Sequence, residues 1–257
     1  MKGPCECGSS DGKETYPDGH SYCFVCNTRT SGTGAPEAPE APRSNKMPTG
    51  TTDAIRDRNI DRKTCVKYGV KVSYDPEGTI EKHQYPWYNT NNDLVGYKTR
   101  VCKTKEFYCP AGGQGSLLFG QQTCRGKGKY ITVTEGEVDC LSVSQAFENK
   151  YDVVSLRNGA SSASKELKEQ LEFLEGYDNI VLCFDNDKAG KVAAESCQDL
   201  FSPGKLKLVK LGRKDPNEYL TTGSTRALVS EWWDAKPYSP DGIIRGSDTW
   251  ELLGEFR

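Results

Sequence analysis

Apolar runs of strand length alternate with runs of helix length between Tyr130 and Trp233. The pattern predicts strands over 130–134, 152–156, 179–184 and 205–211, and helices over 138–147, 162–174, 189–201 and 225–233. Such alternation favours a mainly parallel sheet with flanking helices. Open sheets of this kind bind ligands at the edge where the strands end. We therefore predict an α/β fold whose functional residues directly follow its strands.

Acidic residues lie at these predicted strand ends. Glu135 follows the first strand, Asp185 and Asp187 follow the third, and Asp215 follows the last. Gathered carboxylates repel one another unless a cation lies between them, and Mg²⁺ is the natural candidate. Carboxylates of this number could hold one or two magnesium ions and support phosphoryl transfer. Glu137 and Asp139 are further candidate acids of this site. They have an alternative explanation, because acidic residues in a first helical turn interact favourably with the helix dipole.

A basic stretch precedes the acidic region. Between Gly96 and Lys129 there are seven basic residues and one acid. Lys98 and Arg100 share one face of a strand, and Lys103 and Lys105 share the opposite face. All four side chains converge only if the chain bends near residues 101–102. We predict that this stretch contacts a nucleotide or a nucleic acid. An ordinary exposed basic strand is the alternative.

The N-terminal cysteines predict a metal site. Cys5 and Cys7 are separated from Cys23 and Cys26 by fifteen residues, and four thiolates suit one structural zinc ion. A segment this short needs such a staple to fold. His20 is a substitute ligand if Cys5 is displaced. Residues 29–50 are rich in Gly, Ser and Pro and predict a flexible linker.

Targeting signals are not evident in the sequence. No apolar run is long enough to span a membrane, and residues 1–5 do not open an apolar signal core. We expect a cytoplasmic protein that is not secreted and has no membrane partner. The eleven cysteines therefore indicate metal binding and reduced thiols rather than disulfides.

Together these motifs resemble the Toprim domain of DNA primases, and most of all the primase half of the primase–helicases of T-seven-like bacteriophages. Glu135-Gly136-Glu137-Val138-Asp139 and Asp185-Asn186-Asp187 carry the resemblance. Further matching stretches are 7–12, 18–20, 118–120, 158–161, 214–218 and 240–242. The implied order is a zinc-ribbon-like module over 1–28, a linker over 29–50, a small basic α+β subdomain over 51–129, a Toprim subdomain over 130–236 and a tail over 237–257.

The resemblance implies synthesis of short RNA primers from ribonucleoside triphosphates on a single-stranded DNA template. Glu135 would be the essential acid, and Asp185, Asp187 and Asp215 would hold magnesium. Lys98, Arg100 and Lys105 match residues that contact nucleotides or template, and Asp18 and His20 lie where the zinc module reads the template. It also implies a replicative helicase and a DNA polymerase of the replisome as partners, in the cytoplasm of an infected cell if this is a phage protein.

The sequence departs from the family at two points. The first cysteine pair is one residue closer than the family spacing, and the chain stops at Arg257, where the family continues into a hexameric ATPase. We expect the helicase to be a separate polypeptide or the chain to be a primase fragment. A Toprim nuclease and a zinc-containing DNA-binding recombination mediator remain alternative functions.

Overall fold

The structure, a computed structural model, describes residues 50–109 and 116–238 and, nearer the N-terminus, residues 2–8, 13–16, 19–23, 26 and 28–30. The chain divides into two compact units, Met1–Ser44 and Asn45–Arg257, which are described separately. The predictions for Asp18, for most of the linker and for nearly all of the tail lie outside the described residues. No helix among the described residues is long and apolar enough to cross a membrane.

The first unit contains a four-stranded antiparallel sheet. Its strands lie side by side in chain order: β1 (Lys2–Gly3), β2 (Lys13–Thr15), β3 (Ser21–Cys23) and β4 (Arg29–Thr30). Ser21 and Cys23 are the buried residues among those described here. Small units with little buried area generally need a metal or a disulfide to offset the entropy cost of folding.

Helix α1 (Arg62–Tyr68) opens the second unit. Asp61 caps its first turn, because its side chain accepts a hydrogen bond from the Thr64 N–H at 2.6 Å. Gly69 ends the helix in the left-handed region, at φ 69°. A single 3₁₀ turn at Arg56–Arg58 precedes this helix.

An antiparallel sheet follows, with its strands in chain order: β5 (Lys71–Tyr74), β6 (Ile80–Tyr88), β7 (Leu94–Val101) and β8 (Phe107–Tyr108). Strands β6 and β7 form a hairpin. The Asn89 side chain closes its turn by accepting hydrogen bonds from the N–H groups of Asn91 and Asp93.

A five-stranded sheet forms the centre of the second unit. Its strands are β9 (Gly128–Thr134), β10 (Asp152–Ser155), β11 (Tyr177–Cys183), β12 (Leu206–Leu208) and β13 (Lys236–Pro237), in the spatial order β10-β9-β11-β12-β13. The first four run parallel and β13 is antiparallel. The helices are α2 (Glu137–Ala146), α3 (Ala163–Glu169), α4 (Leu171–Glu175), α5 (Lys188–Ser196), α6 (Pro216–Thr221) and α7 (Thr225–Trp233). The predicted α/β class is confirmed.

Two cores cover the two faces of this sheet. On β11, Val181 and Cys183 pack on one face with residues of α2, α6 and α7, while Ile180 and Leu182 pack on the other with α3 and α5. The first core continues into the antiparallel sheet through Tyr85 and into α1 through Tyr68. The two predicted subdomains therefore share one hydrophobic core.

Three predicted elements differ from the structure. The helix predicted over 162–174 breaks at Gln170, whose mostly buried amide donates to the Ser116 carbonyl and accepts from Gln121. The strand predicted over 205–211 covers only β12, since the Leu211 carbonyl accepts from the Asn186 side chain instead. The helix predicted over 189–201 ends as α5 at Ser196 and is followed by a 3₁₀ turn at Gln198–Leu200. Helix α6, with Pro216 in its first turn, is an additional element that was not predicted.

Candidate active site

Glu135 and Asp185 lie side by side at the carboxyl edge of the parallel sheet. Their strands pair Thr134 with Cys183, so the residues that follow leave the sheet together. Glu135 Oε2 and Asp185 Oδ1 are both buried, and neither has a hydrogen-bond partner. Buried carboxylate oxygens without donors are costly unless a cation binds them. This pair therefore fits a hard divalent cation such as Mg²⁺.

The electrostatics of the cluster lead to the same conclusion. Burial, followed by the charges of Glu135, Asp215 and Asp187, raises the pKa of Asp185 to about 7. Burial and the charge of Asp187 raise the pKa of Glu135, although backbone hydrogen bonds at Ala160 and Asp185 oppose the shift. The neighbouring charges thus make Glu135 and Asp185 harder to ionise, which is the arrangement that a bound cation relieves.

Asp139 belongs to this cluster. Burial first, then the charges of Asp185 and Asp215, raise its pKa well above the usual range. The Asn217 N–H donates to Asp139 Oδ1 at 3.4 Å, because α2 packs against α6. The helix-dipole explanation from the sequence is therefore incomplete for Asp139, which is a further candidate ligand at this edge.

Asp187 and Asp215 each cap a helix. Asp187 Oδ1 accepts from the Gly190 N–H at the start of α5, and Asp215 Oδ1 accepts from the Glu218 N–H at the start of α6, both at 2.9 Å. Capping accounts for these residues locally. It also fixes each carboxylate beside Asp185, whose pKa both of them raise. The other three predicted magnesium ligands, Glu135, Asp187 and Asp215, are thus all close enough for their charges to act on Asp185.

Glu137 points towards the basic residues. Its carboxylate lies 2.7 Å from Lys98 Nζ, and the side chains are 5% and 11% exposed, so the pair is buried. Lys98 Nζ also donates to the Arg157 carbonyl at 2.6 Å and lies 4.7 Å from the centre of the Phe107 ring. Lys98 therefore joins the antiparallel sheet to the loop after β10.

The chain turns after residue 101, which was the condition for the basic residues to converge. Strand β7 ends at Val101, and β8 returns so that Phe107 pairs with Arg100. Lys105 lies in the turn between them, exposed, with φ 63° and its N–H donating to the Val101 carbonyl. Of the three predicted basic residues, the structure brings Lys98 and Arg100 to the acidic side and leaves Lys105 at the turn.

A cleft of about 180 Å³ lies between the acids and the bases. Two arginines, two aromatic rings and a run of acids and amides line it: Arg58, Tyr85, Arg100, Phe107, Gly136, Glu137, Val138, Asp139, Asp215 and Asn217. Arg58 and Asn217 were not among the site residues predicted from the sequence. Asn217 Nδ2 donates to the Arg58 carbonyl at 2.9 Å and to Ser142 Oγ at 3.0 Å, which holds Arg58 at the cleft.

The N-terminal cysteines form the other candidate metal centre, in the first unit. The Sγ atoms of Cys5, Cys7, Cys23 and Cys26 all lie within 4.8 Å of one another. Cys5 and Cys26 are 3.7 Å apart and Cys7 and Cys23 are 3.8 Å apart. Tetrahedral zinc with Zn–S bonds of about 2.3 Å requires sulfur separations of about 3.8 Å. The quartet thus fits zinc despite the short first spacing.

Neighbouring side chains support this centre. Hydrogen bonding by Thr28, whose hydroxyl lies 3.2 Å from Cys26 Sγ, lowers the pKa of that thiol to about 6 and favours the thiolate that binds metal. His20 stacks on Tyr16 with ring centres 4.3 Å apart and is not part of the quartet. The structure therefore gives no reason to substitute His20 for Cys5.

The chain is similar in sequence to known proteins. The Toprim-like family matches residues 132–220. The DNA helicase/primase of Enterobacteria phage T3 is 34% identical over 94% of this chain, which spans 44% of that protein's length.

Two solved structures are also similar. The crystal structure of the primase fragment of the bacteriophage T7 primase–helicase has a TM-score of 0.68 at 32% identity, covering 91% of this chain and 99% of that one. The primase domains in a complex with the T7 lagging-strand DNA polymerase, an RNA/DNA hybrid and dTTP give a TM-score of 0.67 at 33% identity, covering 74% and 94%. The predicted resemblance is confirmed, and the chain belongs to the family of the primase part of the T7-type phage primase–helicases.

Proposed function

We propose that this protein is a DNA primase that makes short RNA primers from ribonucleoside triphosphates on single-stranded DNA. The observation that carries the proposal is the buried, unpartnered pair Glu135 Oε2 and Asp185 Oδ1 beside a cleft with two arginines. Polymerisation joins a 3′-hydroxyl to a triphosphate, so it requires cations for the phosphates and a site for magnesium.

Glu135 and Asp185 would hold magnesium, with Asp187, Asp215 and Asp139 completing the set. Bound magnesium would stabilise the negative charge that develops during phosphoryl transfer. Arg58 and Arg100 face the acids across the cleft and are the candidates for the triphosphate. Phe107 lies beside Arg100, with the guanidinium carbon 6.0 Å from the ring centre, and offers a surface for stacking.

The zinc module is proposed to select the template site, with Asp18 and His20 contacting the DNA. A flexible linker would give the module a high effective concentration near the second unit. In the phage T3 relative, primase and helicase belong to one protein, and in the T7 complex the primase domains interact with the lagging-strand polymerase. We propose a replicative helicase and a DNA polymerase as partners, in the cytoplasm where phage DNA is replicated.

A priming assay on a random single-stranded DNA library tests this function. The purified chain, Mg²⁺ and labelled ribonucleotides should yield short RNAs whose 5′ ends, once sequenced, define a shared template site. Glu135→Gln and Asp185→Asn should abolish synthesis. Asp178→Asn is the matched control, because Asp178 is exposed on the same strand, β11, but away from the acidic edge.

The same reaction separates the alternatives. Magnesium-dependent cleavage of labelled single-stranded DNA without RNA product would identify a nuclease. DNA binding with no turnover in either assay would identify a recombination mediator. Wild-type levels of primer synthesis by Asp185→Asn would refute the assigned centre even if the chain is a primase.

A further inference from the structure

A second group of metal-ligand side chains lies outside both sites described above. Asp57, His83 and Cys102 each present one ligand atom, and these atoms all lie within 4.8 Å of one another. They come from three separate segments: the 3₁₀ turn at Arg56–Arg58, strand β6 and the turn after β7. Among the described residues, this is the one such group besides the cysteine quartet.

The spacing suits a tetrahedral ion. His83 Nε2 lies 3.1 Å from Asp57 Oδ1. Two ligands on zinc with bonds of about 2.0–2.1 Å lie about 3.3 Å apart. The His83 ring is fully buried, and its other nitrogen, Nδ1, lies 3.3 Å from the Tyr85 hydroxyl, which holds the ring orientation as an outer partner of a ligating histidine does.

The chemistry of the three ligands selects the class of ion. A thiolate, an imidazole and a carboxylate together favour zinc over magnesium or calcium, which prefer oxygen ligands alone. Asp57 is 43% exposed, so the group is open to solvent on one side and a water molecule can take the fourth position. The backbone N–H of Cys102 donates to the Glu81 carbonyl at 2.9 Å, which fixes the turn that carries the thiol.

We propose that Asp57, His83 and Cys102 bind a zinc-class divalent ion. The site adjoins the basic wall of the cleft, because His83 pairs with Arg100 across β6 and β7 and Asp57 directly precedes Arg58. Both arginines line the cleft. The ion would therefore brace the 3₁₀ turn against the hairpin and hold these two side chains in place. A hydrogen-bonded His83–Asp57 pair without metal is the competing explanation, and it gives Cys102 no part.

Metal stoichiometry tests the proposal directly. The full chain is stripped of metal under reducing conditions, reloaded with Zn²⁺ in excess Mg²⁺ to occupy the carboxylate cluster, and desalted before zinc is measured. The wild type should retain two zinc equivalents. Cys102→Ala and Asp57→Asn should each retain one, and so should Cys26→Ser, which disrupts the quartet instead. Cys109→Ala, at an exposed thiol outside the group, should retain two.

Cobalt gives a second readout that does not depend on activity. Co²⁺ loading of Cys26→Ser should leave cobalt–thiolate absorption that disappears when Cys102→Ala is added, with no such effect from Cys109→Ala. One zinc equivalent in the wild type, or equal zinc content in Cys102→Ala and Cys109→Ala, would overturn the proposal and leave His83 and Asp57 as an ion pair only.

Discussion

Burial of Asp185 and repulsion from the neighbouring acids should make the metal-free protein more stable when Asp185 is neutralised. In the wild type, burial and the charges of Glu135, Asp215 and Asp187 hold the pKa of Asp185 at about 7, against 3.8 for an unperturbed aspartate. Asp185→Asn removes the ionisation and with it the cost of burying that charge. The substitution should therefore raise the free energy of unfolding while it eliminates magnesium binding.

The sign and size follow from proton linkage. Because the folded state holds its proton to higher pH, the contribution of Asp185 to stability is present below pH 4 and is lost as the pH rises to 7. The difference between 3.8 and a pKa of about 7, at about 1.4 kcal/mol per pH unit, sets an upper limit of about 4 kcal/mol on the stability lost above pH 7. The corresponding value at pH 5 is roughly 1–2 kcal/mol. Since Asp185 is only partly buried, we expect about half of these values.

Urea unfolding followed by tryptophan fluorescence measures this effect in the second unit. All four tryptophans, at positions 87, 232, 233 and 250, lie outside the first unit. In magnesium-free buffer at pH 8, Asp185→Asn should be more stable than the wild type by about 2 kcal/mol, and the difference should vanish near pH 3. Asp178→Asn should differ by less than about 0.5 kcal/mol. Equal or lower stability of Asp185→Asn at pH 8 would refute the electrostatic reasoning.

Magnesium should reverse the order of stability. At a concentration one hundred times its dissociation constant, Mg²⁺ should stabilise the wild type by about 2.7 kcal/mol and leave Asp185→Asn unchanged. Equal stabilisation of both proteins would show that Asp185 is not a ligand.

Three further substitutions test separate parts of the structure. Cys26→Ser should release the zinc of the quartet and abolish template-dependent initiation in the priming assay. The unfolding of the second unit, followed by tryptophan fluorescence, should stay unchanged, and altered unfolding would contradict the division into two units. Gly190→Ala places a Cβ 2.2 Å from the Asp185 carbonyl oxygen, so it should lower the free energy of unfolding in urea by about 1–3 kcal/mol and weaken magnesium binding. Lys191→Ala, an exposed position on the same helix, is the control and should do neither. Lys98→Met leaves the buried Glu137 carboxylate without its cation and should cost about 3–5 kcal/mol, much of which a second change, Glu137→Gln, should recover.

Local patterns predicted the elements whose signals are local. The alternation of strands and helices between β9 and α7 follows from periodicity, apart from the break at Gln170 and helix α6. The Asp61 cap and Gly69 terminus of α1 and the turn of the β6–β7 hairpin also have local sequence signals. The placement of Glu135 and Asp185 at one edge follows because parallel strands must end together. These features need no knowledge of distant contacts.

The remaining features depend on packing between distant segments. Asp139 joins the acidic cluster only because α2 packs on α6, and its local setting in a first helical turn already explains an acid. Arg58 reaches the cleft through Asn217, which is 159 residues away and donates to its carbonyl. Gln170 interrupts a regular helical pattern because its amide finds buried partners elsewhere. No pattern in a single sequence reports such pairs.

Lys98 and Arg100, the two basic residues of β7, differ in the partners that they contact. Lys98 is already neutralised by Glu137 and bound to the Arg157 carbonyl, so a phosphate must compete with both to reach it. Arg100 lines the cleft without a carboxylate partner among the described salt bridges. The Arg157 N–H donates in turn to Glu166, which fixes the loop after β10. We therefore expect Lys98 to position this loop and Arg100 to be the more available to a nucleotide, since Arg58 Nε already lies 3.7 Å from Asp57 Oδ2.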